Sequence, residues 1–193
     1  LDSGALYRGV TLFAIENGHI GDDNTINVPE LAKALDNLDL HFGPEGTYIG
    51  GRCIEKEIRS MEVAGKVSPI AAVAEVRAYV DRKLREFGKN GRIVMDGRDI
   101  GTTVFPEAEL KRFMTADPMV RAQRRPDEMK AKGMEADIRE VLKNLQERDY
   151  IDSHRDVSPL TQAKDAIVLD NSHMTMEEQV VWLKDLIKER FGL

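Results

Sequence analysis

The chain has one cysteine, Cys53, so no internal disulfide can staple it, and a single spare thiol fits a reducing compartment such as the cytoplasm. Cys53 has no nearby histidine or second thiol, which removes both a zinc-ligand set and a Cys-His nucleophile. The four histidines, His19, His41, His154 and His173, show no paired spacing, so neither a zinc site nor a catalytic triad is indicated. Long apolar runs are also absent. The longest, Ile70 to Ala74, falls far short of the roughly 20 residues that a membrane span needs. No basic-then-apolar leader opens the chain. Positive charge is not in excess either: 28 Lys and Arg against 34 Asp and Glu leave a net charge of -6, which argues against nucleic acid as a partner.

What is present is ordinary for a globular fold. The chain has 193 residues, of which 41% are hydrophobic and 32% charged, enough for one domain with room for a small insertion. Apolar periodicity predicts a helix over Gly4 to Ile15, with Leu6, Val10 and Ala14 on one stripe and Asn17-Gly18 as its stop. A short helix at Pro29 to Leu35 precedes two strand-like pieces, Leu38 to Phe42 and Thr47 to Ile49, and Ile54 to Ser60 reads as a further short helix. Ser68-Pro69 carries the signals of a helix start, and that helix should run to Phe87. Ile93 to Met95 reads as a buried parallel strand, with Lys111 to Thr115 and Ala166 to Leu169 as two more. A helix from Asp117 should end or kink near Pro126, a second spans Glu135 to Asp152, and a third, Thr175 to Phe191, should turn Val180, Leu183, Leu186 and Ile187 inward. Strands alternating with helices define an α/β fold with a mostly parallel sheet.

Some residues break these patterns. The helix after Pro69 has apolar residues at 70, 73, 80, 84 and 87, and the stripe position at 77 is arginine. A guanidinium there either carries its head to the surface, pairs with a structural carboxylate, or binds a ligand. Asp96-Gly97-Arg98-Asp99 follows an apolar run, and open α/β sheets bind ligands outside the carboxyl ends of their strands. An aspartate there can hold Mg²⁺, and a tight Asp-Gly turn is the plainer alternative. Arg148, Asp152 and Arg155 share a helix face by their spacing, as a surface ion-pair ladder or as part of a site. Arg121, Arg124 and Arg125 open a basic stretch, either a solvated face or an arm over polyphosphate. Arginine supplies 16 of the 28 basic residues, and its planar fork suits phosphate. Together these signals favour phosphoryl chemistry, which relies on positioning, Mg²⁺ and cationic donors more than on a protein nucleophile.

Three motifs occur in order: Leu1-Asp2-Ser3-Gly4-Ala5-Leu6-Tyr7-Arg8, Asp96-Gly97-Arg98-Asp99-Ile100-Gly101-Thr102-Thr103-Val104-Phe105-Pro106, and Glu147-Arg148-Asp149 with Asp152 and Arg155. With Asp165 to Asp170 before the last helix, they make nearly the whole chain resemble the bacterial cytidylate kinases. The resemblance implies a P-loop-kinase-like parallel sheet flanked by helices, with an inserted monophosphate-binding domain and a helical lid. It implies core at residues 1–18, 68–120 and 156–193, the insertion at 19–67 and the lid at 121–155. It implies transfer of the ATP γ-phosphoryl group to CMP or dCMP with Mg²⁺, by a monomeric cytoplasmic enzyme. Ser3, Tyr7 and Arg8 match the acceptor-site motif, with the arginine on the acceptor phosphate. Ser68, Arg77 and Asp99 match the positions that read cytosine. Arg98 and Arg155 would contact phosphate, Arg148 and Asp152 would serve the ribose and the closed site, and Asp96 would organise Mg²⁺. Arg121 and Arg125 would approach the ATP phosphates.

Residues 1–193 contain no G-x-x-x-x-G-K-[ST] run to cradle those phosphates. The family carries that loop just before the Leu-Asp-Ser-Gly motif, so the expectation is that a βα unit belongs upstream of Leu1 and that transfer is crippled without it. The alternative readings are a CMP-binding module without transfer and a related monophosphate kinase of other base preference.

Overall fold

The computed structural model describes residues 1–131 and 137–192, with the backbone alone given for residues 125, 126 and 128–131. The described chain is α/β and divides into two compact units, residues 1–106 with 150–161, and residues 107–149 with 162–193.

In the first unit, α1 (Ser3–Glu16) is buried on nearly every side rather than along one stripe. A helix apolar all round belongs inside a core. Gly9 makes this possible, because a Cβ there would come within 2.6 Å of Leu40. Helix α2 (Val28–Leu35), capped by Asn27, leads into an antiparallel sheet of β1 (Leu40–Gly43), β2 (Gly46–Ile49) and β3 (Arg52–Cys53), with Leu40 opposite Ile49. The helix expected over 54–60 is one 3-10 turn, Glu57–Arg59. Leu6, Val10, Leu31, Leu40, Ile54, Ile58 and Ile70 are fully buried, and burying each such side chain contributes roughly 1.5–3 kcal/mol.

The helix expected from Ser68 is instead two helices, α3 (Met61–Ala72) and α4 (Ala74–Gly88). Ser60 is the true N-cap, accepting from the Val63 amide at 3.3 Å, and Ser68-Pro69 lies inside α3. Proline costs about 3 kcal/mol in a helix interior, and the burial of Val63, Val67 and Ile70 along α3 offsets it. The chain breaks at Val73, extended at φ -70 and ψ 125, which frees carbonyls in the last turn of α3.

Ile93 to Met95 does not form a ladder. A parallel bridge joins Asp2 to Asp96, with Asp96 N–H donating to Leu1 O and Ser3 N–H to Asp96 O, both at 3.0 Å. Val94 is 80% exposed, against the expected buried strand, since among the described residues this segment pairs with the first residues of the chain and joins no ladder. A wide turn, Ile100–Val104, follows.

In the second unit β4 (Arg112–Thr115) and β5 (Ile167–Asp170) pair in parallel, Arg112 with Ile167 and Thr115 with Asp170. Helix α5 (Pro118–Ala131) continues through Pro126, so of the end or kink expected there the end does not occur, and the loss of one amide donor does not stop the helix. Helix α6 (Ile138–His154) starts later than Glu135, which lies outside the described residues, and its last five residues belong to the first unit. Helix α7 (Met176–Phe191) opens with a capping box, Thr175 and Glu178 exchanging side-chain bonds with each other's amides. Val180, expected inward, is exposed, and Gln179 is buried beside it. Gln179 Oε1 accepts from Asn171 Nδ2 at 2.9 Å, a bond that a valine could not make.

Candidate active site

The break between α3 and α4 aims Arg77. It sits one turn into α4, and its Nη1 donates 3.0 Å to the Ala71 carbonyl left over at the end of α3. Its Nη2 pairs with Oδ2 of Asp99, and its guanidinium lies 5.1 Å from the centre of the Tyr7 ring on α1. Arg77 is only 1% exposed. Of the three fates open to an arginine on this stripe, surfacing is therefore excluded.

Asp99 is fixed by its own backbone. Its carbonyl accepts from the amides of Thr102, Thr103 and Val104, the Thr103 bond being 2.8 Å. Oδ1 of Asp99 faces Nη2 of Arg155 at 3.9 Å. Arg155 follows α6 directly, donates from Nη1 to Asp152 at 3.2 Å and from Nε to the Ser158 carbonyl at 2.8 Å. Asp152 also accepts from Nε of Arg98 at 3.0 Å. Arg77, Asp99, Arg98, Asp152, Arg155 and Tyr7 thus form one connected cluster, and of these only Arg98 reaches well into solvent.

A buried cluster with this much charge has consequences. Burial pushes the Tyr7 hydroxyl well above its ordinary range and so keeps it neutral. Burial, then the Arg77 cation, ease the Arg155 proton off, opposed by Asp152 and Asp99. Nε of Arg8, Nε of Arg77 and Nη2 of Arg155 are buried donors without a hydrogen-bond partner among the described residues. Three such donors suit an acceptor-rich ligand such as a phosphate or a nucleobase edge.

The remaining expected residues are placed as follows. Arg8 folds back over the first turn of α1, its Nη2 donating to Asp2 at 2.6 Å. Ser3 is buried, and a Cβ on Gly97 would overlap its hydroxyl, so the Asp96-Gly97 turn needs glycine to approach α1. Ser68 is buried within α3. Asp96 is exposed. No group of three or more metal-ligating side chains gathers among the described residues, and a lone exposed carboxylate fits a Mg²⁺ held largely by phosphate oxygens and water.

The other expected residues lie in the second unit. There Arg121 pairs with Asp149 through bonds of 2.5 and 3.3 Å, and Arg148 lies half-buried on α6. The Arg125 side chain is outside the described residues. Arg124, the third arginine of the basic stretch, donates to the Asn171 side chain at 3.0 Å and to its carbonyl at 2.6 Å.

Sequence reasoning missed Asp81 and Arg85. Both lie on α4 one and two turns after Arg77, and the fourfold spacing 77, 81, 85 was the available signal.

An α/β frame whose buried arginines and aspartates converge on one cluster belongs with enzymes that handle anionic substrates, and a match to the family model described as cytidylate kinase, over residues 1–189, makes the class a phosphotransferase. A cytidylate kinase of Parabacteroides distasonis is 52% identical over 198 residues, taking in 100% of this chain and 86% of that protein. The chain belongs to the cytidylate kinase family. Similar proteins of that name occur in Bacteroides fragilis, 52% identical over 95% of this chain and 82% of the relative, and in Porphyromonas gingivalis, 50% identical over 100% and 86%. These matches lend no support to the expected loss of a phosphate-cradling loop. No described helix is long and apolar enough to cross a membrane.

Proposed function

We propose that the protein transfers the γ-phosphoryl group of ATP to CMP or dCMP, giving CDP or dCDP and ADP. The observation that carries this reading is the buried Arg77–Asp99 pair on the Tyr7 ring, continued by Arg155, Asp152 and Arg98. Asp99 spends Oδ2 on Arg77 and offers Oδ1 to the exocyclic amine of cytosine, while Arg77 and the Ser68 hydroxyl serve the other polar atoms of the ring. Uracil would present a carbonyl where cytosine presents the amine, setting acceptor against acceptor, and such a mismatch in a buried site is strongly rejected.

Arg8 receives the acceptor phosphate, with Ser3 and Tyr7 lining its approach. One oxygen of that phosphate attacks the γ-phosphorus in line, and the bond to the ADP oxygen breaks. Negative charge spread over the transferring group is stabilised by the guanidinium groups of Arg98, Arg148 and Arg155, and Asp152 orients two of these while facing the ribose. Arg121 and Arg125 are the donors we assign to ATP phosphates. Asp96 is the carboxylate that would hold Mg²⁺, which neutralises phosphate charge when bound. In this reading residues 19–67 are the monophosphate-binding insertion, residues 121–155 the lid and the rest the core of a cytoplasmic monomer acting on small molecules and not nucleic acid.

An ATP-coupled assay of residues 1–193 with Mg²⁺ tests the reaction. CDP formation from CMP, with UMP and AMP at least tenfold poorer, supports it. UMP or AMP outcompeting CMP overturns the base assignment. CMP binding with no CDP formed supports instead a binding module, because residues 1–193 contain no G-x-x-x-x-G-K-[ST] run.

A further inference from the structure

One buried ionisable group near this site has no part in the reaction described above. Asp81 is 7% exposed, and its Oδ1 has no hydrogen-bond partner among the described residues. It lies on α4 one turn after Arg77 and one turn before Arg85. Arg77 grips Asp99 at the head of the Ile100–Val104 turn. Arg85 grips the tail, its Nη2 donating to the Thr103 carbonyl at 2.9 Å and its Nε to the Val104 carbonyl at 3.3 Å. One face of α4 therefore clamps the Asp99 turn at both ends, with Asp81 between the clamping arginines.

The groups that act on Asp81 are Asp99 from the turn, Arg77 and Arg85 from its own helix, and the Tyr7 hydroxyl from α1. The Tyr7 hydroxyl is itself buried without a well-formed hydrogen bond among the described residues. The same ring supports the Arg77 guanidinium.

We infer that Asp81 is a positioning residue for base recognition, its carboxyl fixing Tyr7 and Arg77 so that the Arg77–Asp99 pair presents one fixed edge to the base. The inference rests on the base-reading role given above to Arg77 and Asp99. Asp81 touches no substrate. It acts by the charge it places one helical turn from Arg77 and by the acceptor it offers to Tyr7. Burial and the Asp99 carboxylate raise its proton affinity above that of an ordinary aspartate, opposed by Arg77 and Arg85, so acid adds a proton here before it does at an ordinary aspartate. The aim of Arg77 then depends on pH.

The test is calorimetric titration of the full chain with CMP and with UMP at several pH values between about 5 and 8, for wild type and Asp81→Asn. The titration of the nucleotide's own phosphate and base is common to both proteins and cancels in the comparison. Wild-type CMP affinity should fall on the acid side relative to Asp81→Asn, and at neutral pH the variant should lose about fivefold or more of the preference for CMP over UMP. A folded Asp81→Asn with the wild-type preference and the wild-type pH profile overturns the inference. Should that variant fail to fold, Tyr7→Phe removes the hydroxyl facing Asp81, and an unchanged pH profile there overturns it equally. A wild-type chain with no preference for CMP contradicts the base-reading role itself, an outcome distinct from either of these.

Discussion

At the scale of single residues, the site is a set of buried charges, and their energetics are asymmetric. Arg77 and Asp99 are 1% and 4% exposed, so removing either alone strands its partner. Arg77→Met or Asp99→Leu is expected to cost roughly 3–5 kcal/mol of unfolding free energy, and the double variant much less than the sum. Urea unfolding of the three variants checks this, and additive losses would show that the pair is not a unit. Asp81 has the opposite sign. Its proton affinity is raised in the folded state, so the folded chain gains stability from its proton below the ordinary pKa of 3.8 and loses it as pH rises through the raised value. Asp81→Asn should therefore be more stable than wild type at neutral pH, and the gain should vanish in strong acid. Thermal melts at pH 7 and pH 3 measure both ends. A stabilising change that weakens base selection is the trade expected where a buried charge serves function.

At the scale of elements, positions were more legible than boundaries. Helix α1 was expected over Gly4 to Ile15 and runs Ser3–Glu16, and both parallel strands were found to within a residue or two. The helix after Pro69 was misread because Ser-Pro is a start signal in isolation, whereas here Ser60 caps α3 and the burial of its apolar residues carries it past the proline. That misreading hid the break at Val73, the feature that gives Arg77 the Ala71 carbonyl. At Pro126 likewise the helix does not end. Ser3, Tyr7, Arg8 and Ser68 entered as candidates only through the family resemblance, whereas Arg77 and the 96–99 turn were legible as candidates because charged side chains stood in an apolar stripe or after an apolar run. Their partners were not, because the pairing of Arg77 with Asp99 spans 22 positions and no periodicity encodes it. Two substitutions test the elements. Thr175→Ala removes the capping box of α7 and should cost about 1 kcal/mol. Gly9→Val forces a side chain into the space held by Leu40 and Ile54 and should cost about 1–3 kcal/mol, with loss of packing between α1 and β1. Circular dichroism melts of both variants read the cost.

At the scale of the molecule, the chain is two compact units, and the first holds the whole cluster from Tyr7 to Arg155. A ligand that binds only the folded form stabilises it by mass action, by about 2.7 kcal/mol at a hundredfold excess over Kd. Saturating CMP is therefore expected to slow hydrogen exchange in α1, α3, α4 and the Ile100–Val104 turn, whose amides frame the cluster. The most direct test of the account is titration of the folded chain with CMP and with UMP, repeated with Asp99→Asn, which keeps the shape of the pocket and removes the charge. CMP binding at least tenfold tighter than UMP, with that preference lost in Asp99→Asn, is the predicted result. Equal affinities in the wild type, or a preference that survives in Asp99→Asn, would contradict the assignment of the Arg77–Asp99 pair to the base.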